Sequence, residues 1–351
     1  MDWANLETLW FILIAVLWIG YFFLEGFDFG VGNLLPFLGR DDAGKRQMIN
    51  SIGPFWDGNE VWLITAGGAT FAAFPEWYAT LFSGFYLPLL LILVALIVRG
   101  VAFEFRGKHD SPRWRSTWDA AIVVGSIVPS ILWGVAFANI VRGVPIDADG
   151  EYTGGFFNLL NGYALLGGLT TLALFTLSGA LFLGLRTTGD MRAQSVNTAR
   201  ILAPIATVIA AGFIVWTLVD ARDLGPLTIL CAAAAAVLSI GVAILAYRGM
   251  DGWGFALQGG VIAASVSMLF VSLYPNVMPS STDAAFSLTV FNASSSTYTL
   301  TVMTIVALVL TPIVLLYQAW TYHIFRARIG RTSFEAKSPV DLIPGAGTEP
   351  K

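Results

Sequence analysis

The 351-residue sequence has very few of the side chains that bind metals or form cross-links: one cysteine, Cys231, and two histidines, His109 and His323. A single cysteine excludes an internal disulfide framework and a thiolate metal cluster. A bis-histidine haem needs two buried ligands on facing helices, whereas we expect His109 in a loop and His323 at the end of the last helix. The sequence therefore predicts no metal site and no haem bound mainly by this chain.

Charged residues are also scarce. They make up 12% of the chain, against 56% hydrophobic residues and a mean hydropathy of +0.72, which lies outside the range of soluble proteins. The net charge of −4 and the lack of a basic domain argue against nucleic acid as a partner. The composition predicts a protein whose solvent is the lipid bilayer.

Several apolar stretches are long enough to cross a membrane, which takes about 20 residues. They predict an all-α, polytopic membrane protein with about nine transmembrane helices, at 9–37, 52–74, 78–103, 118–141, 156–185, 201–219, 227–247, 255–274 and 300–325. We expect one transmembrane domain over residues 1–331, built as two four-helix bundles (approximately 8–143 and 156–275) and a C-terminal helix (approximately 299–326). Residues 332–351 are predicted to form a disordered cytoplasmic tail.

The positive charges predict the orientation. An odd number of spans places the termini on opposite sides, and Lys and Arg concentrate in cytoplasmic loops. Of the 19 Lys and Arg residues, all except Arg142 and Arg222 fall in one alternate set of loops. We therefore expect the N-terminus outside and the C-terminus in the cytoplasm.

Four acids lie inside predicted spans, where ionisable side chains are costly and often mark ion or proton paths. Glu25 and Asp28 are three residues apart in the first span, and Asp57 and Glu60 are three apart in the second, so each pair shares a helical face. The pattern favours a proton path fed from the cytoplasm, and Arg99 is a candidate partner for one of the acids. Two alternatives stay open: a structural role at glycine-loosened helix breaks, and a proton-coupled secondary transporter.

Two tryptophans flank the second acid pair. Trp56 and Trp62 are candidate contacts for a quinone or a lipid tail, although plain packing is the commoner use of such residues.

Four sequence strings resemble one family over nearly the whole chain. They are EGFDFGVG at 25–32, NSIGPFWDGNEVWLI at 50–64, GVAFAN at 134–139 and YPNVMPSS at 274–281. Together they resemble cytochrome bd quinol oxidase subunit II. Many relatives have Asp and Gln where this chain has Glu25 and Glu60, which keeps or adds acidity.

The resemblance implies a bacterial cytoplasmic-membrane heterodimer with a haem-bearing subunit I, which holds two haem b and one haem d. That complex oxidises quinol near the outer face, reduces dioxygen to water and generates a proton-motive force. Small single-helix accessory subunits are further expected partners. By position, Asp57 resembles the entry or relay of a proton path into subunit I, with Asp28 as its neighbour.

Overall fold

The computed structural model describes residues 5–220 and 225–331. The predicted tail at 332–351 lies outside the described residues. The helices are α1 (Leu6–Leu38), α2 (Asp42–Ile52), α3 (Trp56–Ala73), α4 (Pro75–Gly84), α5 (Tyr86–Phe105), α6 (Pro112–Arg142), α7 (Gly162–Arg186), α8 (Gly189–Asp220), α9 (Pro226–Tyr247), α10 (Asp251–Leu273) and α11 (Thr297–Ile324). Two short antiparallel strands, β1 (Asn276–Met278) and β2 (Leu288–Thr289), precede α11.

The predicted membrane architecture is confirmed, with the count of nine as an approximation. Within the described ranges, eight helices are long and apolar enough to span a bilayer: α1 and α5 to α11. The remaining predicted span is α3, which has 18 residues and therefore a length of about 27 Å at 1.5 Å per residue. Helix α3 is more polar than the other eight because it contains Asp57, Asn59 and Glu60. Its mean hydropathy is therefore too low for it to be counted with them.

The helices form two groups of neighbours. The first contains α1, α3, α5 and α6, and the second contains α7 to α10, with α1 and α6 both packed against α7. Among the described residues, the last helix, α11, has its main contacts with α1 and α3, and most of its length is exposed on the surface of the chain. The arrangement agrees with two four-helix bundles and one additional helix.

The two groups meet where α1 crosses α7, at a pair of glycines. A Cβ added at Gly30 would overlap the backbone of Phe175 and Gly179, and one added at Gly179 would overlap the backbone of Gly30. Small residues let helix backbones approach closely in lipid. Gly30 and Gly179 therefore fix α1 at the centre of the molecule, where it presents its acids to the first group of helices.

The third predicted span is wrong in one respect: the structure has two helices where the sequence predicts one. The stretch predicted at 78–103 is divided into α4 and α5 at Phe85, and Pro75 occupies the first turn of α4. Proline is well suited to a helix start. Pro88, in the first turn of α5, has no N–H to donate to the Gly84 carbonyl, so the helical hydrogen bonding is interrupted between α4 and α5.

The last six described residues, 326–331, form a segment that we call the strap. The Ile329 N–H donates to the Arg186 carbonyl at 2.8 Å and its own carbonyl accepts from Gln47 at 2.8 Å, while Arg331 pairs with Asp41. These bonds attach the chain after α11 to α2 and to the α7–α8 connection. We call this side of the molecule the α2 face, and the opposite side, which carries β1 and β2, the β face.

Candidate functional site

A group of polar side chains lies within the apolar body of the protein, near its α2 face. It contains Glu25 and Asp28 of α1, Asn59 of α3, Arg99 of α5 and Tyr322 of α11. The first four are almost completely buried. Buried polar groups require hydrogen-bond or charge partners, and each of these side chains has at least one within the group.

Glu25 and Arg99 form a buried ion pair. Arg99 Nη1 donates to Glu25 Oε1, and the exposed fractions are 1% for the Arg99 side chain and 0% for that of Glu25. The guanidinium also lies over the rings of Phe29 and Phe103, at 4.7 and 5.4 Å from their centroids. The sequence named Arg99 as a candidate partner without choosing the acid, and the structure pairs it with Glu25.

Atoms of this ion pair retain unused hydrogen-bonding capacity. Glu25 Oε2 and the Nε and Nη2 groups of Arg99 are buried without a hydrogen-bond partner among the described residues. Because Oε1 accepts from Arg99, a proton on a neutral Glu25 belongs on Oε2. The pair therefore combines a fixed carboxylate oxygen with a second oxygen that can bind a proton.

Asp28 is held by a carboxamide from the neighbouring helix. Asn59 Nδ2 donates to Asp28 Oδ2 at 2.7 Å and to the Leu24 carbonyl at 3.3 Å. Its Oδ1 accepts from the Tyr322 hydroxyl at 2.8 Å and from Gln318 Nε2 at 3.4 Å. A chain of hydrogen bonds thus connects Asp28 to α11.

The other two predicted acids lie nearer the surface of the chain. Asp57, in the first turn of α3, is exposed, whereas Glu60 is half-buried. Glu60 is near enough to Glu25, Arg99 and Asp57 for their charges to interact. The four acids therefore run from an exposed carboxylate through a half-buried one to two that are fully buried.

The two candidate tryptophans have different surroundings. Trp56 is half-buried and packs on Phe103, with ring centroids 5.2 Å apart. Trp62 lies against Gly20, where a Cβ would overlap its ring, and donates to Gln318 Oε1 at 3.0 Å. These contacts favour packing for Trp62, and a quinone or lipid contact at either residue stays a prediction.

Sequence reasoning missed Asn59 and Tyr322 of this group, and also Gln318, which donates to Asn59. Gln318 and Tyr322 lie four residues apart on α11, so they share a helical face. A glutamine inside a long apolar run was the available signal. Their partner is Asn59, more than 250 positions earlier, and no local pattern indicates that contact.

The sequence matches one family of known proteins over nearly its whole length. The family model described as cytochrome bd terminal oxidase subunit II matches residues 6–325. The chain belongs to this family. Cytochrome bd ubiquinol oxidase subunit 2 of Bacillus subtilis (strain 168) is 45% identical over 329 residues, covering 93% of this chain and 97% of the relative. Cytochrome bd-I ubiquinol oxidase subunit 2 of Escherichia coli (strain K12) is 39% identical over 371 residues, covering 95% and 98%.

A solved structure agrees in fold. The bd oxidase from Geobacillus thermodenitrificans superimposes with a TM-score of 0.74 over 91% of this chain and 97% of that one, at 15% sequence identity. The predicted family is therefore confirmed: the chain is a multi-pass membrane subunit of a respiratory oxidase, an oxidoreductase. Membership in this family favours an oxidase subunit over a proton-coupled transporter.

The histidines of this oxidase subunit do not fit a bis-histidine haem. His109 and His323 are both exposed, and His323 lies beside the Arg326 guanidinium at 2.8 Å. In the described part of the chain, no three His, Cys, Asp or Glu residues are grouped so that they could bind a metal ion. A haem pocket built from this pair of histidines would need both side chains to move into the helix bundle.

Proposed function

We propose that the chain is the haem-free subunit of a quinol:dioxygen oxidoreductase, in which it stabilises a haem-bearing subunit I and supplies that subunit with protons from the cytoplasm. The two haem b and the haem d belong to subunit I in this proposal, and they supply the electron transfer from quinol to dioxygen. Quinol is oxidised near the outer face. Small single-helix subunits are further partners of the same complex.

The graded burial of the four acids carries the proposal. Exposed Asp57 takes a proton from cytoplasmic water, and half-buried Glu60 lies one helical turn further along α3. Glu25 and Asp28 follow in the buried group on α1. Carboxyl groups inside a membrane protein commonly serve as proton relays. Here α3 and α1 carry four carboxyl groups whose burial increases along the proposed path.

Arg99 has a separate part in this path. Its guanidinium bonds to Oε1 of Glu25 and so fixes the orientation of that carboxyl. Its attachment to Oε1 leaves Oε2 of Glu25 to receive and release the proton. The ion pair therefore holds one end of the carboxyl while the other end exchanges a proton.

The proposed orientation places the α2 face in the cytoplasm. Arg40, Lys45, Arg46 and Arg331 are all on or next to this face, as the distribution of positive charge in membrane proteins predicts. Protons released by quinol outside and protons taken up here would together generate a transmembrane potential, without pumping. The family implies the bacterial cytoplasmic membrane as the location.

A half-buried indole makes Trp56 the better of the two candidates for contact with a quinone or lipid. Its ring faces Gly100 and Phe103 of α5, and part of it stays accessible from outside the chain. A flat apolar ring of this kind can stack on another aromatic group. Trp62, by contrast, is already in contact with both α1 and α11.

The test is quinol-driven oxygen consumption by the purified complex carrying Asp57→Asn, together with its haem spectrum. Loss of most turnover with the haem spectrum intact is the expected result. The matched control is Glu104→Gln, which neutralises an exposed acid near the end of α5 and should leave turnover unchanged. Full turnover in Asp57→Asn would refute the proton path through this residue, and loss of haem would reassign Asp57 to assembly.

A further inference from the structure

The carboxamide of Asn59 has a partner at every hydrogen-bonding position. A side-chain amide has two N–H donors and an oxygen with two lone pairs. Both donors are directed at α1, to Asp28 Oδ2 and the Leu24 carbonyl, and both lone pairs accept from α11, from Tyr322 and Gln318. Rotating the amide by half a turn would place its NH2 group against the two donors of α11 and its oxygen against the Leu24 carbonyl, so α1 and α11 together determine which end faces Asp28.

The orientation of Asn59 determines where Asp28 can bind a proton. Because Oδ2 already accepts an N–H at 2.7 Å, the proton of a neutral Asp28 belongs on Oδ1. That oxygen is buried and has no hydrogen-bond partner in the part of the chain that the structure describes. Without the amide, both oxygens could bind the proton and the carboxyl could rotate between them.

We propose that Tyr322 and Gln318 are positioning residues of the proton path, since they orient the Asn59 amide and thereby confine the proton of Asp28 to Oδ1. This inference rests on the proposed function and adds the last helix to it. Neither residue exchanges a proton with the path. Their hydrogen bonds set the geometry of a carboxyl on a different helix.

The contacts of α11 support this role. Most side chains of α11 are exposed on the surface of the described chain, yet three of its polar side chains contact α1 or α3: Thr304 contacts Trp10, Gln318 contacts Trp62 and Tyr322 contacts Asn59. The Tyr322 ring also stacks on Phe55, with centroids 4.3 Å apart and planes 3° from parallel. The ring therefore has a packing function of its own, which can be separated from that of its hydroxyl.

The test is infrared difference spectroscopy of the complete oxidase complex carrying Tyr322→Phe, Gln318→Leu, or both. The C=O stretching band of the protonated Asp28 carboxyl is identified as the one lost in Asp28→Asn. Tyr322→Phe keeps the ring on Phe55 and removes only the hydroxyl. Loss of the donors to Asn59 Oδ1 should weaken the Asn59 bond to Asp28 Oδ2, so the band should shift to higher wavenumber, most strongly in the double variant.

Tyr317→Phe is the matched control, because Tyr317 is an exposed tyrosine of the same helix, and it should leave the band in place. A band that stays unshifted in Tyr322→Phe and in Gln318→Leu overturns the positioning role. If either single variant fails to assemble, the other still decides the question. If α11 only stabilises the fold by packing, these variants should have lower thermal stability and an unshifted Asp28 band.

The spectroscopic result and the proposed function can fail separately. A shifted band in the α11 variants with full turnover in Asp28→Asn would retain the positioning geometry and remove Asp28 from the proton path. An unshifted band with turnover lost in Asp28→Asn would retain the path and remove α11 from it. A change in the pH profile of turnover that accompanies the band shift would support both.

Discussion

Arg99 of α5 and Glu25 of α1 form an ion pair inside the membrane-embedded body of the protein, and both side chains are almost fully buried. Removing one partner of a buried pair leaves the other charge unpaired, which typically costs about 3–5 kcal/mol. We therefore expect Glu25→Gln to lower the thermal unfolding temperature of the complex markedly. Replacing both partners, as Glu25→Gln with Arg99→Gln, should recover part of that loss.

The comparison between the single and double variants separates charge from packing. If the double variant unfolds at the same temperature as Glu25→Gln, then the unpaired guanidinium is not the cause of the instability. The haem spectrum, recorded in each case, reports whether the complex is still assembled. Asp57→Asn, which changes an exposed acid, should leave the unfolding temperature close to that of the wild type.

The α1–α7 crossing should tolerate no added methyl group. In Gly30→Ala the new Cβ would overlap backbone atoms, which cannot move independently, and overpacking of this kind costs about 1–3 kcal/mol. The measurement is the thermal unfolding temperature of the complex. Gly212→Ala on α8 is the control, because a Cβ there has nothing within 4 Å. Equal unfolding temperatures for the two variants would contradict the close approach of α1 and α7.

The orientation of the chain in the membrane can be tested by labelling introduced cysteines, once the single native cysteine has been replaced. In a Cys231→Ala background, a membrane-impermeant thiol reagent applied to intact cells should label Asp149→Cys, which lies in the α6–α7 connection on the β face. It should label His109→Cys, in the α5–α6 connection, only after the cells are opened. Both positions are exposed, so access to the reagent decides the result. The reverse pattern would place the α2 face outside.

The α2 face should also respond to acid through Asp41. The Gly44 N–H donates to the Asp41 carboxylate at 2.8 Å, and together with the adjacent Arg331 it holds the pKa of Asp41 below its usual 3.8. A carboxyl with a lowered pKa in the folded state stabilises that state above its unfolded value and loses the contribution as the pH falls through the folded value.

The corresponding variant is Asp41→Ala, which removes the N-cap of α2. Its unfolding temperature should lie below that of the wild type at neutral pH, and the difference should shrink as the pH drops below 3.8, because only the charge-dependent part of the cap is lost. Exposed Asp149, changed to Ala, provides the control. A difference that persists unchanged into acid would show that the Asp41 charge contributes nothing to the α2 face.

The sequence predicted most of the membrane architecture because long apolar runs have few alternatives in a bilayer. It also placed Glu25 and Asp28 on one face of a helix, because residues three positions apart in an α-helix lie on the same face. The division at Phe85 was missed because α4 and α5 are both apolar, although Pro88 in the first turn of α5 lacks the N–H that a continuous helix would use there. The contacts of Asn59 with Gln318 and Tyr322 depend on how distant helices pack, which the sequence of either helix alone does not specify.

The strap and α11 have a consequence for biosynthesis. Ribosomes deliver the chain from its N-terminus, so Glu25 can meet Arg99 once α5 has been inserted, early in synthesis. Asn59 has no donor from α11 until the final span emerges, and the strap can close on Gln47 and Arg186 only after that. The Asp28 end of the polar group is thus completed last, and a chain truncated before α11 would expose an unfinished hydrogen-bond network to the membrane.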